Sequence, residues 1–371
     1  MQFEISKDDF LKALTKVQGI IEKRHTIPIL ANVLIEAKNE EILITATDLE
    51  VGLKTKHNCA IKEEGKITVS AKKLFEIIKE LPNKNVYFTS KSNFWVEIKC
   101  EKSIFNLVGL SPEDFPKFPE INNDIFKVNG NIINEMIDKT VFSISSDETK
   151  FNLTGIYVKE ERIEDNNLLT FVSTDGHRLS MVQRKVNGDL GDKFKEGFIL
   201  PKKGIFEIRK LIENSDQDIE IGITDNNFII KYENTILIMR MVDGEFPDYN
   251  RVIPEKGKNF AVINKDLFLH SLKRISILSS EKSKGIKLNF NKDFLVLSSS
   301  NPDLGDAREE LDIAYNADEI SIGFNAKYIM DILQVIKAEN IIFNLKDNIS
   351  PGRISPESDD NYLSVIMPMR L

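Results

Sequence analysis

The sequence predicts an α+β protein made of three repeated domains. Two observations carry this. A cycle of helix, strands, helix, strands recurs with a period of about 124 residues, a third of the 371-residue chain. At the matching place in each cycle an alternating strand pattern runs into a polar turn, in "TATDLEV" (45–51), "STDGHRLSM" (173–181) and "SSNPDLG" (299–305). Boundaries are expected near 122–127 and 255–260, dividing the chain into domains 1–124, 125–256 and 257–371.

The first helix of each cycle lies in "SKDDFLKALTKVQGII" (6–21), "NIINEMIDKTVFSI" (131–144) and "NKDLFLHSLKRISIL" (264–278). In the first of these, Ser6 with Asp9 three residues on resembles a capping box, and Phe10, Leu14, Val17 and Ile21 form one apolar stripe. The second helices lie in "VSAKKLFEIIKELP" (69–82), "LPKKGIFEIRKLIE" (200–213) and "GFNAKYIMDILQVIK" (323–337); the first two share Lys-Lys and then Phe-Glu-Ile. Alternating strands fill the space between, among them 41–53, 168–181 and 287–305, and others such as 103–110 and 235–242 follow the second helices. The segment "NISPGRISPESDD" (348–360) reads as the most flexible loop.

Composition is that of a globular protein, with 41% hydrophobic and 29% charged residues. No apolar run reaches the roughly 20 residues of a membrane span, and "MQFEISKDDF" lacks the apolar core of a signal peptide. Cys59 and Cys100 are the only cysteines and show no metal or redox spacing, so a reduced, cytoplasmic setting and no metal are expected. The net charge of −8 argues at first against a polyanionic partner. Its distribution reverses that argument. The six repeat helices together carry +7, leaving −15 for the remainder. Helices sharing one face would present a positive surface, and no base-reading motif accompanies them, so any DNA contact is expected to be with the backbone.

"STDGHRLSM" gathers Asp175, His177, Arg178 and several hydroxyls, which raises a hydrolase or nuclease built on Asp175 and His177 as the alternative function. No partner motif supports it: there is no H-E-x-x-H, P-loop or G-x-S-x-G, and His25, His57 and His270 share no ligand spacing with His177. The corresponding turns of the other two repeats lack His and Arg, so the turn itself is architectural and the second repeat adds His177-Arg178-Leu179 to it.

The repeat, together with "TIPILANVLIEA" (26–37), "TDGHRL" (174–179), "FPDYNRVIP" (246–254) and "MPMRL" (367–371), resembles the bacterial sliding clamps, the beta subunits of DNA polymerase III, over the whole chain. The resemblance implies the DNA clamp fold: three clamp-type domains per chain, helices lining a ring and antiparallel sheets outside. It implies a homodimer that encircles duplex DNA without reading its sequence. It would tether the replicative DNA polymerase and be opened by a clamp loader, with no catalysis, cofactor or membrane involved. Simple geometry agrees. With helices packed roughly 8–10 Å apart, twelve side by side enclose a circle about 34 Å across, and six only about 17 Å. A duplex about 20 Å wide passes the first and not the second.

The family's DNA contacts fall here on Arg24, Lys72, Phe151, Lys202 and Lys203. The lysines occupy first helical turns, where the dipole disfavours cations, which points away from a purely structural role; for Phe151, core packing is the other reading. The family's pocket for apolar partner peptides falls on Leu153, Thr174, Gly176, His177, Arg178, Leu179, Pro247, Val252, Val365, Met367, Pro368, Met369 and Arg370, with Arg178 and His177 as polar rim and Asn325 and Tyr328 at the border. Methionine suits a slot that repacks around different ligands. The dimer contacts fall on Phe105 and Leu107 in the first domain and Ile277 and Leu278 in the third. Asp303, Asp306, Glu309 and Glu310 would face Lys99 and Lys102 across the interface.

Overall fold

The computed structural model describes residues 1–21, 27–119, 121, 125–213, 216–255, 257, 259–280 and 283–370. Seven α-helices occur among them: α1 Lys7–Val17, α2 Ala71–Glu80, α3 Gly130–Asp138, α4 Asp192–Glu196, α5 Lys202–Leu211, α6 Lys265–Ile275 and α7 Ala326–Val335. Six are the repeat helices read from periodicity. The extra one, α4, is a single turn between Gly191 and Gly197, both at positive φ.

Helix starts follow a common rule, a strand whose last polar residue caps the helix that follows. Ser6 Oγ accepts from the Asp9 amide at 3.1 Å and donates to its carboxylate at 2.7 Å, a reciprocal cap. Ser70, Asn264 and Asn325 do the same work for α2, α6 and α7. The helix expected over 131–144 ends at Asp138 instead. There Thr140 turns its hydroxyl back onto the carbonyls of Met136 and Ile137, and a 3₁₀ turn, Val141–Ser143, follows.

The residues pack as two compact units, which cut through the central repeat. One comprises Met1–Asn131 and Lys203–Met241, the other Ile132–Lys202 and Val242–Leu371. In the first unit, a 13-stranded sheet runs from the strands of the first repeat into four of the central one. The junction is an antiparallel pairing of Val51–Thr55 with Thr235–Met239. Beneath it α1 buries Phe10, Ala13, Leu14 and Val17. Phe10 stands edge-on to a stacked pair, Phe3 and Phe88, whose ring centroids are 4.8 Å apart.

The second unit holds an eight-stranded and a four-stranded sheet. In the larger, Arg178–Val182 pairs with Tyr362–Ile366, joining central and third repeats by main-chain hydrogen bonds. The segment 348–360 departs from expectation. Its Gly352–Pro356 stretch is a fully buried strand between Asn340–Asn344 and Tyr362–Ile366. Proline is tolerated because it ends the strand, and glycine is required because a Cβ on residue 352 would press on the Phe343 and Phe324 rings.

Phe10→Ala is expected to destabilise the first unit by about 3–5 kcal/mol. A shift of the urea midpoint at unchanged slope would report it.

Candidate functional site

The two turns that looked alike in sequence are alike atom by atom. In the first repeat, Thr47 Oγ accepts from the Leu49 amide at 3.0 Å, and Asp48 Oδ1 accepts from Glu50 at 2.9 Å and Val51 at 2.6 Å. In the central repeat, Thr174 accepts from Gly176 at 3.1 Å, and Asp175 Oδ1 accepts from His177 at 2.9 Å and Arg178 at 3.0 Å. Each threonine hydroxyl also donates across the turn, to Val51 and Arg178 carbonyls respectively. Each turn needs one left-handed residue, supplied by Leu49 at φ 78° and Gly176 at φ 89°. The carboxylates are thus turn-builders. The third turn keeps only an Asn301 side chain accepting from Asp303.

The serines and the arginine of "STDGHRLSM" are similarly occupied. Ser173 donates to the Thr140 carbonyl and Ser180 to that of Lys139. Arg178, read as a polar rim contact, is 9% exposed and held from every side. Its Nε donates to Asp175 at 3.0 Å, Nη1 to Asp331 at 2.6 Å and Nη2 to the Phe142 carbonyl. The Tyr328 and Phe142 rings cover it, 4.4 and 5.4 Å from the guanidinium carbon. Arg178 therefore positions its strand, whereas His177 beside it is exposed. Among the described residues, no group of three or more His, Cys, Asp or Glu side chains is placed to hold a metal ion.

A second charge network lies further along the same strand. Arg184 forks onto Glu135 and Asp359, each with one bond of 2.6 Å and one of 3.3 Å, and Lys139 reaches the same two carboxylates at 2.6 and 2.8 Å. Burial alone would raise both carboxyl pKa values, but the Arg184 and Lys139 hydrogen bonds hold them below their ordinary range. Lys139 also sits over the ring of Tyr362, whose hydroxyl burial pushes up to about 12.

The second unit also holds an apolar cluster. Val172, Leu179, Tyr249, Leu363 and Val365 form one buried cluster, with Tyr157, Met181, Phe246 and Ile253 packed against it. A cleft of about 640 Å³ is lined by Val252, Ile253, Pro254, Asn344, Pro351, Met367 and their neighbours. Of the expected pocket residues, Leu179 and Val365 are in the cluster, and Val252 and Met367 line the cleft. The Met367 amide donates to the His177 carbonyl at 2.9 Å and that of Met369 to Gly323. Leu153 is buried, Gly176, Pro247 and Arg370 are exposed, and Pro368 is half-buried. Asn325 is the cap of α7 and Tyr328 the lid on Arg178. The aromatic trio Tyr157, Phe246 and Tyr249, with Asn344 and Pro351, was missed. "FPDY" announced two of the rings, but Tyr157 is brought to them only by folding, its ring stacked 5.0 Å from Phe246.

The expected DNA contacts separate. Lys72 is exposed, 3.9 Å from Glu76, and Lys202 is exposed. Phe151 is 56% exposed, which removes the core-packing reading, and its ring closes over Gly244. Lys203 turns inward instead, to the buried Asp48 carboxylate and to the Ile20 carbonyl at 3.0 Å. Arg24 lies outside the described residues. At the expected dimer positions, Phe105 and Ile277 are exposed, the latter 72%, and Leu107 and Leu278 are half-buried. Glu309 is taken by Ser271 and Arg274 of α6 within its own chain.

Three α+β repeats whose sheets run on from one repeat into the next define the class of DNA clamps. The families described as DNA polymerase III beta subunit, N-terminal, central and C-terminal domain match residues 1–119, 127–248 and 250–370. Beta sliding clamps of Haemophilus influenzae and Pseudomonas aeruginosa are each 32% identical over the full length of both chains. A crystal structure of the Caulobacter crescentus beta sliding clamp superposes with a TM-score of 0.96 at 33% identity, covering 100% of both chains. A sliding clamp of Pseudomonas aeruginosa bound to griselimycin does so at 0.93 and 33%. The chain belongs to the DNA polymerase III beta subunit family, the bacterial beta sliding clamps. Its function is that of a processivity factor, an accessory subunit in DNA replication and not a catalytic one, and the hydrolase alternative has no support.

Two outcomes are expected. Asp359→Asn should cost about 1–2 kcal/mol at pH 7, because it leaves Arg184 and Lys139 short of a carboxylate at a partly exposed site. Because the folded pKa values are depressed, this stability is present above the unfolded carboxylate range and is lost as pH falls through the folded values. Urea midpoints of wild type and variant should therefore converge as pH falls below the ordinary carboxylate range. Lys203→Ala should cost about 2–3 kcal/mol by stranding Asp48, whereas Lys202→Ala should leave the thermal midpoint unchanged.

Proposed function

We propose that the chain acts as a head-to-tail homodimeric ring around duplex DNA, with domains 1–124, 125–256 and 257–371. The observation that supports closure is a pair of open strand edges. Ser103–Leu110 is paired along its length on one side only, meeting a second strand just at Gly109 and Leu110. Gly305–Asp312 stands last in its sheet. Open edges recruit another strand, and two different edges on one chain make a heterologous contact that closes when two copies meet twice. Phe105 and Leu107 on one edge, with Ile277 and Leu278 beside the other, would fill the contact, while Asp303, Asp306 and Glu310 face Lys99 and Lys102.

A ring holds DNA by topology, so contacts need only be loose. Lys72, Lys202, Phe151 and Arg24 are the side chains proposed to touch the backbone, through contacts that weaken with salt; Lys203 serves the Asp48 turn. The cleft and its apolar cluster are proposed to take short apolar peptides of the replicative polymerase, the clamp loader and other partners in the cytoplasm. Tethering raises the polymerase's effective concentration at the primer end. That a related clamp binds griselimycin supports a ligand slot in this fold.

The test is topological. Loaded on a nicked circular plasmid by a clamp loader, the protein should co-migrate with it and be released on linearisation; retention after cutting would defeat the proposal. Phe105→Glu should halve the solution mass and abolish retention on the circle.

A further inference from the structure

Arg353 sits mid-strand in Gly352–Pro356 and is 7% exposed. In register it stands opposite Asn344 on one side and Val365 on the other. Directly opposed residues project from the same sheet face. Asn344 lines the cleft and Val365 belongs to the apolar cluster, so Arg353 stands in register between a cleft-lining residue and the cluster. Its guanidinium touches the cleft wall, where Nη1 donates to the Pro254 carbonyl at 3.4 Å, a long bond. Its Nε is buried and without a partner among the described residues.

This differs from two other arginines of the unit, Arg178, which is buried, and Arg184, which is half-buried. Arg178 and Arg184 each hold two carboxylates. Arg353 has five N–H donors in a rigid fork and one neutral acceptor at long range. Burial pulls its pKa down, with Asp360 the acid that opposes this. The cleft itself contributes Arg251 and Lys346 against Glu255, so its walls are cationic before Arg353 is counted. A buried cation so poorly matched is costly unless something supplies the missing acceptor.

We propose that Arg353 is a specificity-determining residue of the docking slot, completed by the aspartate or glutamate side chain of an incoming apolar peptide. The inference rests on the peptide-docking reading above and narrows the partner class to apolar peptides that carry an acid. A carboxylate meets the fork with two charge-assisted bonds, which an amide of the same shape cannot do. The apolar residues of the peptide anchor it on the neighbouring cluster, and the acid selects among peptides of equal hydrophobicity.

The test uses the full-length protein and fluorescein-labelled hexapeptides bearing one leucine and one phenylalanine on a serine background. Glutamate is placed at each other position in turn and compared with glutamine there, by fluorescence anisotropy. At one position glutamate should bind about tenfold more tightly. In Arg353→Gln that preference should vanish while the glutamine peptides keep their affinity, and Arg353→Lys should restore part of it. Should Arg353→Gln fail to fold, the wild-type preference should still disappear as pH falls through the carboxylate range, and Arg353→Lys should weaken it. Equal binding of glutamate and glutamine at every position overturns the proposal and leaves the docking reading standing. A preference that survives Arg353→Gln intact also overturns it, assigning the effect to Arg251 or Lys346. Failure of every peptide to bind at millimolar concentration removes the docking reading and this inference together.

Discussion

The structure depends on main-chain pairing carried across the boundaries between repeats. Val51–Thr55 bonds to Thr235–Met239 in one unit, and Arg178–Val182 to Tyr362–Ile366 in the other. Each junction is a ladder of backbone hydrogen bonds, which takes its geometry from the sheet and asks little of the side chains. The side chains at the junctions are then available for other work. At the first, Thr55 and Thr235 bond to each other at 3.1 Å and Lys16 reaches Thr235 at 2.9 Å. At the second, the paired strands carry Leu179 and Val365 into the apolar cluster beside the cleft. The apolar cluster beside the cleft thus exists because the C-terminal strand is stitched to the central repeat.

Charge is committed in the same economical way. Asp48 and Asp175 each use one oxygen to build a turn and the other to hold a cation, Lys203 in one case and Arg178 in the other. The turn is inherited by both repeats, and the choice of cation is what differs. Lys203 ties α5 to the turn of the first repeat; Arg178 reaches Asp331 on α7. A short stretch dense in acids, bases and hydroxyls can therefore be wholly structural when each group has a fixed partner. Reactivity needs a group held ready for a substrate, and in this turn the carboxylate, the guanidinium and the hydroxyls are already bonded.

Much of the fold was legible because it rests on short-range signals. The caps Ser6 and Ser70, the stripe Phe10–Leu14–Val17 and the alternating strands follow from local propensity and period. The illegible parts share a cause. Gly352–Pro356 looks like a loop from composition, and only its two flanking strands make it a strand. The end of α3 at Asp138 hangs on a threonine hydroxyl choosing a carbonyl within its own helix. Tyr157 meets Phe246, some ninety positions away in sequence, through folding alone.

What the sequence determined by itself is the threefold repeat, the position of its helices, the concentration of positive charge on them and, through motifs spread over the whole chain, the family. These are sums of local preferences or of pattern, and they survive without coordinates. The tertiary structure alone decided which polar groups are spent and which are left over. Lys202 and Lys203 are adjacent and identical in type, yet one faces outward and the other is bound to Asp48, since successive positions on a helix point about 100° apart. Arg178, Arg184 and Arg353 are likewise the same residue in similar strands. Two found carboxylates and the third did not, because partners for a buried charge are set by distant chain brought close, and no reading of neighbours along the sequence contains that distance.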